Sequence, residues 1–218
     1  MRPYHFPCLE ASTRMNRHRL LITAVALSAA LPSIGCQRHA LPDPGIPYDP
    51  AATSEKLAAF IYKEEGRLYL LTVGVNAARF HDKDFFVPLT VLVGNKTKTA
   101  LNLSRESFTL VDPANGARYH LADLAEVRRQ GRQAHDRRLM DEDQLYSKVD
   151  GYQRTGSNFF PNEELLNDQV ELHQFQYILE NLYFPRPDGD LLGKPFELHV
   201  NGKGLAQPLF IVFEIPAR

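Results

Sequence analysis

The chain has 218 residues, 44% of them apolar and 23% charged, with 15 Pro, 13 Gly, two Cys and no Trp. Its formal charge of −1 argues against nucleic acid as a partner, because such binding rests chiefly on neutralising phosphates with a basic surface. Two cysteines, Cys8 and Cys36, are too few for a disulfide framework or a cysteine-based zinc cluster.

In chain order, the first signal is a basic end followed by an apolar run. Arg14, Arg17 and Arg19 precede the 12 residues from Leu20 to Leu31, which lead into Ser33-Ile34-Gly35-Cys36. A charged end, a short apolar helix and a small-residue junction form the order of a secretory signal. A permanent span needs roughly 20 apolar residues, so residues 1–35 read as a removed leader. Met15, followed by Asn-Arg-His-Arg, is a start as plausible as Met1, since Pro3, Pro7 and Glu10 precede the basic end. Without the leader, 21 basic and 25 acidic residues remain, a formal charge of −4.

The junction Ile34-Gly35-Cys36 resembles the lipidation site of bacterial lipoproteins, with Ser33 where that pattern usually has Leu. The resemblance implies a covalent lipid on Cys36, no other cofactor, and attachment to a membrane of the cell envelope. Gln37 stands where lipoproteins retained in a Gram-negative inner membrane carry Asp. By the same resemblance, it implies the periplasmic face of the outer membrane in such a cell. The stretch 36–54 then reads as a tether: Pro42, Pro44, Pro47 and Pro50 oppose helix and sheet and favour an extended, semi-stiff chain.

Residues 55–218 have the length of one domain and a mostly period-two pattern, the mark of half-buried strands. Tyr69, Leu71, Val73 and Val75 share one face, as do Phe85, Val87, Leu89, Val91 and Val93. The second face of that segment is also apolar, which predicts a central strand, although Pro88 signals a bulge or an edge. Leu101, Leu103, Phe108 and Leu110 continue the pattern with a break in phase at Arg105-Glu106. Asp112-Pro113-Ala114-Asn115-Gly116 is a turn, with a return strand from Arg118.

Residues 122–148 change character. Leu121, Leu124 and Val127 have helical spacing, and the apolar stripe then fades through a run with five arginines followed by Asp141-Glu142-Asp143. This predicts a polar helical insertion on the outside of the sheet, its charges solvated and paired. Phe159 and Phe160 anchor the loop after it. Residues 163–184 fit either a helical face or two strands, and the context favours strands. Phe196, Leu198 and Val200, the turn Asn201-Gly202-Lys203-Gly204, and Leu209, Ile211, Phe213 and Ile215 form a closing hairpin.

Short strands with turns between them predict a mainly β fold, an antiparallel sandwich with a polar helical insertion. Val87–Asn95, Phe108–Asp112 with Gly116 and Tyr119, and Phe210–Phe213 resemble the immunoglobulin-like domains of bacterial lipoproteins. The Trp and intersheet disulfide of true immunoglobulin domains are missing. This resemblance implies the fold and no particular role.

The sequence carries no nucleophile elbow, zinc-protease helix or phosphate-binding glycine loop. His81-Asp82-Lys83-Asp84 supplies metal-ligand types, His81, Asp82 and Asp84, although a solvated turn between strands has the same composition. Arg128, Arg129 and Arg132 form a local basic patch on an otherwise mildly acidic domain. Two functions are therefore expected from different classes. One is a lipid-anchored, non-enzymatic binding or assembly module whose insertion meets another envelope protein. The other is a periplasmic metal-binding protein or metal-dependent enzyme using His81, Asp82 and Asp84.

Overall fold

The computed structural model describes residues 54–147, 149–161 and 167–217. The leader 1–35, Cys36 and the tether up to Thr53 lie outside them. Among the described residues, no helix is long and apolar enough to cross a membrane. The fold is mainly β, with two helices.

Six strands form the larger sheet: β1 (Glu55–Ala58), β2 (Ile61–Glu65), β3 (Tyr69–Gly74), β4 (Phe86–Asn95), β10 (Gln176–Pro185) and β8 (Gln153–Arg154), in the order β1-β2-β3-β4-β10-β8. A four-stranded sheet has the order β12-β11-β6-β7, built from β6 (Phe108–Asp112), β7 (Ala117–His120), β11 (Pro195–Val200) and β12 (Leu209–Glu214). A third, two-stranded sheet pairs β5 (Leu101–Ser104) with β9 (Gln169–Leu172). Every pair is antiparallel except β8 with β10.

Side-chain alternation selects the core. Leu71, Val73, Val87, Leu89, Val91, Val93, Ile178, Leu182 and Phe184 of the larger sheet join Phe108, Leu110, Phe196, Leu198, Ile211 and Phe213 of the smaller in one buried cluster. Strand β4 is buried along its whole length because its other face is covered too. Pro88 is tolerated there for a local reason: β3 ends opposite Thr90, so at Pro88 only β10 lies alongside. The phase break at Arg105 is a single 3₁₀ turn, Arg105–Ser107, at which the chain passes from β5 in one sheet to β6 in another. In the ambiguous segment, the described part forms strands β9 and β10.

The insertion is two helices, α1 (Leu124–Gln130) and α2 (Gln133–Ser147). Asp123 caps α1 by accepting from Ala125 N and Glu126 N, and Gly131 ends it at φ 68°; both choices follow the usual chemistry of helix ends. At the other side of the domain, Ser54 N donates to Val212 O and Val212 N donates to Ser54 Oγ, both at 2.9 Å. This reciprocal pair fixes where the chain joins the sheets.

The closing hairpin loop packs on β5, with Asn102 N donating to Lys203 O at 2.9 Å. Gly204 has φ 109°, and a Cβ there would lie 2.4 Å from Ala100 O. Gly204→Ala is therefore expected to lower unfolding free energy by about 2–4 kcal/mol, read from urea melts. Gly116→Ala, in an open turn where an added Cβ would meet no atom within 4 Å, should cost about 1 kcal/mol.

Candidate functional site: a buried histidine between two carboxylates

The sequence His81-Asp82-Lys83-Asp84 follows a short 3₁₀ turn, Ala78–Phe80. This turn tucks His81 inward until it is 3% exposed. Helix α2 meets it there with a stripe at i, i+4 and i+7 spacing: Asp136, Met140 and Asp143, all buried. Two of the three residues facing the sheet are thus acids, an arrangement that stands only if the carboxylates are satisfied.

Asp136, 0% exposed, accepts from both sides. Its Oδ1 lies 2.8 Å from His81 Nε2, and its Oδ2 accepts from Tyr183 OH at 3.0 Å. His81 Nδ1 lies 3.0 Å from Asp84 Oδ2, the same oxygen that Arg132 Nη1 engages. A protonated imidazole donates through both nitrogens, to Asp84 and Asp136 at once; a neutral ring can donate to only one. Burial and the neighbouring Asp136 carboxylate push the Tyr183 hydroxyl well above the ordinary range, so it remains a donor. A cavity of about 10 Å³ adjoins the group, lined by His81, Asp84, Phe86, Val127, Arg132 and Tyr183 among others; it has room for roughly one water molecule.

Further along α2, Asp143 sits over a notch in the sheet. A Cβ on Gly74 would lie 2.8 Å from the Asp143 carboxylate and 3.1 Å from Thr90 Cβ, so only glycine lets the helix come this close. Thr90 Oγ1 in turn donates to Asn181 Oδ1 at 2.9 Å. Burial, then the charge of Glu142, raises Asp143 to about 7. Glu180 is also raised to about 7 by burial, despite the Ser157 hydroxyl and the charges of Arg154 and Arg137.

The structure thus joins two residues of the expected metal cluster, His81 and Asp84, to Arg132 of the expected basic patch. The backbone carbonyl of Asp82 accepts from Arg186 Nε at 2.9 Å. Of the basic patch, Arg132 is drawn into the network, while Arg128 and Arg129 stay exposed on α1; Arg128 Nη2 also reaches Pro161 O at 3.4 Å. Among the described residues, no three His, Cys, Asp or Glu side chains are disposed to hold a metal ion. Asp136 and Tyr183 carried no signal of their own in the sequence. The only trace was the Asp136–Met140–Asp143 spacing, legible if acids are admitted as buried positions.

His81→Ala should cost about 3–5 kcal/mol, since it leaves the buried Asp136 carboxylate without its imidazole partner. Lys83→Ala, two residues on and exposed, should stay within about 0.5 kcal/mol; urea titration compares the two. Asp143 and Glu180 bind protons in the folded chain at pH values where the unfolded chain has lost them. Their contribution to stability is fully present below the unfolded carboxyl value of about 4 and lost as pH rises through about 7. Over pH 5 to 8 the melting temperature should fall by about 5 °C, and Asp143→Asn should flatten that slope.

No protein-family model and no curated protein sequence matches the chain. Among solved structures, it is similar to a Bacillus subtilis protein, YcdA, described as a candidate lipoprotein, at 16% identity and a TM-score of 0.37. The likeness covers 70% of this chain, which spans 38% of that protein's length, and it is too distant to transfer a role.

Proposed function

We propose that this is a lipid-anchored protein of the cell envelope, its leader removed at Cys36. Its β domain, read as an immunoglobulin-like sandwich, acts as a non-enzymatic binding or assembly module for another envelope protein. In a Gram-negative cell, Gln37 supports the periplasmic face of the outer membrane by the resemblance stated above. The observation that carries the module reading is the build of the α1–α2 insertion. Its inner side is locked to the sheet through Asp136, His81 and Tyr183, while Arg128, Arg129, Arg137 and Arg138 lie exposed. A rigid scaffold carrying a polar insertion is a common way to present a recognition surface.

The metal reading has weaker support. Both ring nitrogens of His81 face carboxylates, and Asp84 is bridged to Arg132, so a cation would have to displace bonds that hold the insertion.

Intact mass of the detergent-extracted mature protein should begin at Cys36 with acyl chains added; an unmodified amino terminus elsewhere overturns the anchor. For the module, Arg128→Glu with Arg129→Glu should abolish cross-linking to the envelope partner and leave the melting temperature within about 2 °C. Arg132→Glu should lower it, because that side chain is paired with Asp84 at the edge of the His81 network.

A further inference from the structure

Three loops meet at one end of the larger sheet. They are residues 66–68 between β2 and β3, 96–100 after β4, and 173–175 between β9 and β10. Their backbones are stitched side by side: Lys96 N donates to Leu68 O at 2.9 Å and Phe175 N to Asn95 O at 2.7 Å. Gln174 Nε2 also donates to Lys96 O at 3.1 Å. On this rim stand Leu68, 52% exposed, and Phe175, 49% exposed.

Phe175 is doubly disfavoured where it is. It is the only non-glycine residue with positive φ among the described residues, at 58°, a conformation that costs a bulky side chain and suits Gly or Asn. Half of its ring lies in water. The edge-to-face contact with Tyr152, centroids 5.6 Å apart, uses one side of the ring only. A strained residue that leaves an aromatic surface exposed points to a contact beyond the domain.

The surroundings indicate its nature. The three loops contain Arg67, Lys96 and Lys98 and no carboxylate. Glu65, at the end of β2, is ion-paired to Lys63 and Lys96. Lys96 is thus engaged within the domain, and the turn 149–152 that packs Tyr152 on Phe175 adds one exposed carboxylate, Asp150. Arg67 and Lys98 remain as exposed cations beside the apolar tip, a combination that suits the interface of a bilayer with anionic headgroups.

The chain also joins the domain from this side. Strand β1 begins at Glu55, opposite Lys63, and runs away from the rim to Ala58, opposite Ile61; the rim-proximal level is Glu65, Leu70, Gly94 and Tyr177. The 18 residue-to-residue steps from Cys36 to Ser54 reach at most roughly 60 Å when extended, so the tether permits this end to meet the membrane but does not force it there.

We infer that the Leu68–Phe175 rim docks on the phospholipid surface to which the chain is anchored, with the exposed Arg67 and Lys98 facing the headgroups. The inference rests on the lipid-anchor reading and adds an orientation to it: the rim faces the bilayer and the opposite end of the sheet faces away.

The chain has no Trp, so single tryptophans report without background. Full-length acylated protein carrying Leu68→Trp, Phe175→Trp or Phe85→Trp would be reconstituted into phosphatidylethanolamine vesicles with a minority of phosphatidylglycerol. Brominated acyl chains then serve as quencher. Phe85, 74% exposed, precedes β4 at the far end of the sheet and is the control. Emission at positions 68 and 175 should shift to the blue and be quenched several-fold more than at 85. Phe175→Gly, which relieves the backbone, should keep or raise the melting temperature and reduce quenching of the position-68 probe. Equal or absent quenching at all three sites, with protein still floating with the vesicles, overturns the docking while sparing the anchor. Protein that fails to float overturns the anchor reading and the docking with it. A blue shift without vesicles that vanishes on dilution assigns the rim to a second copy of the chain and also overturns the docking.

Discussion

The Asp136 carboxylate is the group around which the insertion is organised. Removing a charge from water costs several kcal/mol unless hydrogen bonds and an opposite charge replace the solvent. Here the replacements come from a loop before β4, through His81, and from β10, through Tyr183. One buried oxygen pair thereby ties together segments more than 100 residues apart in sequence. Asp84 and Arg132 extend the tie to the junction between α1 and α2. The helices hold their place less by an apolar stripe than by satisfying a group that cannot be left alone. Such a contact favours one arrangement over many, because a shift of a single residue breaks several polar bonds together.

The same layer contains the opposite kind of acid. Asp143 lies over Gly74 and Thr90, where burial favours its neutral form. Two carboxylates seven residues apart on one helix are thus treated differently by their neighbours, one set beside an imidazole and the other set against the sheet. Between them Met140 supplies the apolar contact. The small side of the notch, Gly74 beside Thr90, explains why the larger sheet has a polar strip across a face that elsewhere carries Leu70, Leu92 and Leu179.

Much of the fold was legible because strand alternation is a local property. The inward sets Leu71–Val73, Val87–Val93, Phe196–Val200 and Ile211–Phe213 declare themselves two residues at a time, and Asp112–Gly116 and Asn201–Gly204 mark the reversals by turn chemistry. The helical insertion was legible in kind, but its division at Gly131 was not separated from one continuous helix. Partition into three sheets was hidden, since the 3₁₀ turn at Arg105 reads only as a lapse of phase. The buried network was half hidden. His81 and Asp84 stand next to each other in sequence, but Asp136 and Tyr183 lie 55 and 102 positions from His81, and no periodicity encodes that pairing. The exposed Phe175 hid for another reason: its left-handed backbone is a property of the turn, invisible in a residue type that seldom adopts it.

The reciprocal pair between Ser54 and Val212 has a mechanical meaning. Tension applied to the chain ahead of Ser54, where it runs along the axis of β1, enters the domain at this point. Pulling a strand along its own length loads its hydrogen bonds with β2 in shear, all at once, where a pull across the strand would peel them singly. The Ser54 bonds to β12 lie in series before that array and take the load first. A four-residue edge strand, weak as a stabilising element, would thus bear tension applied through the amino-terminal side.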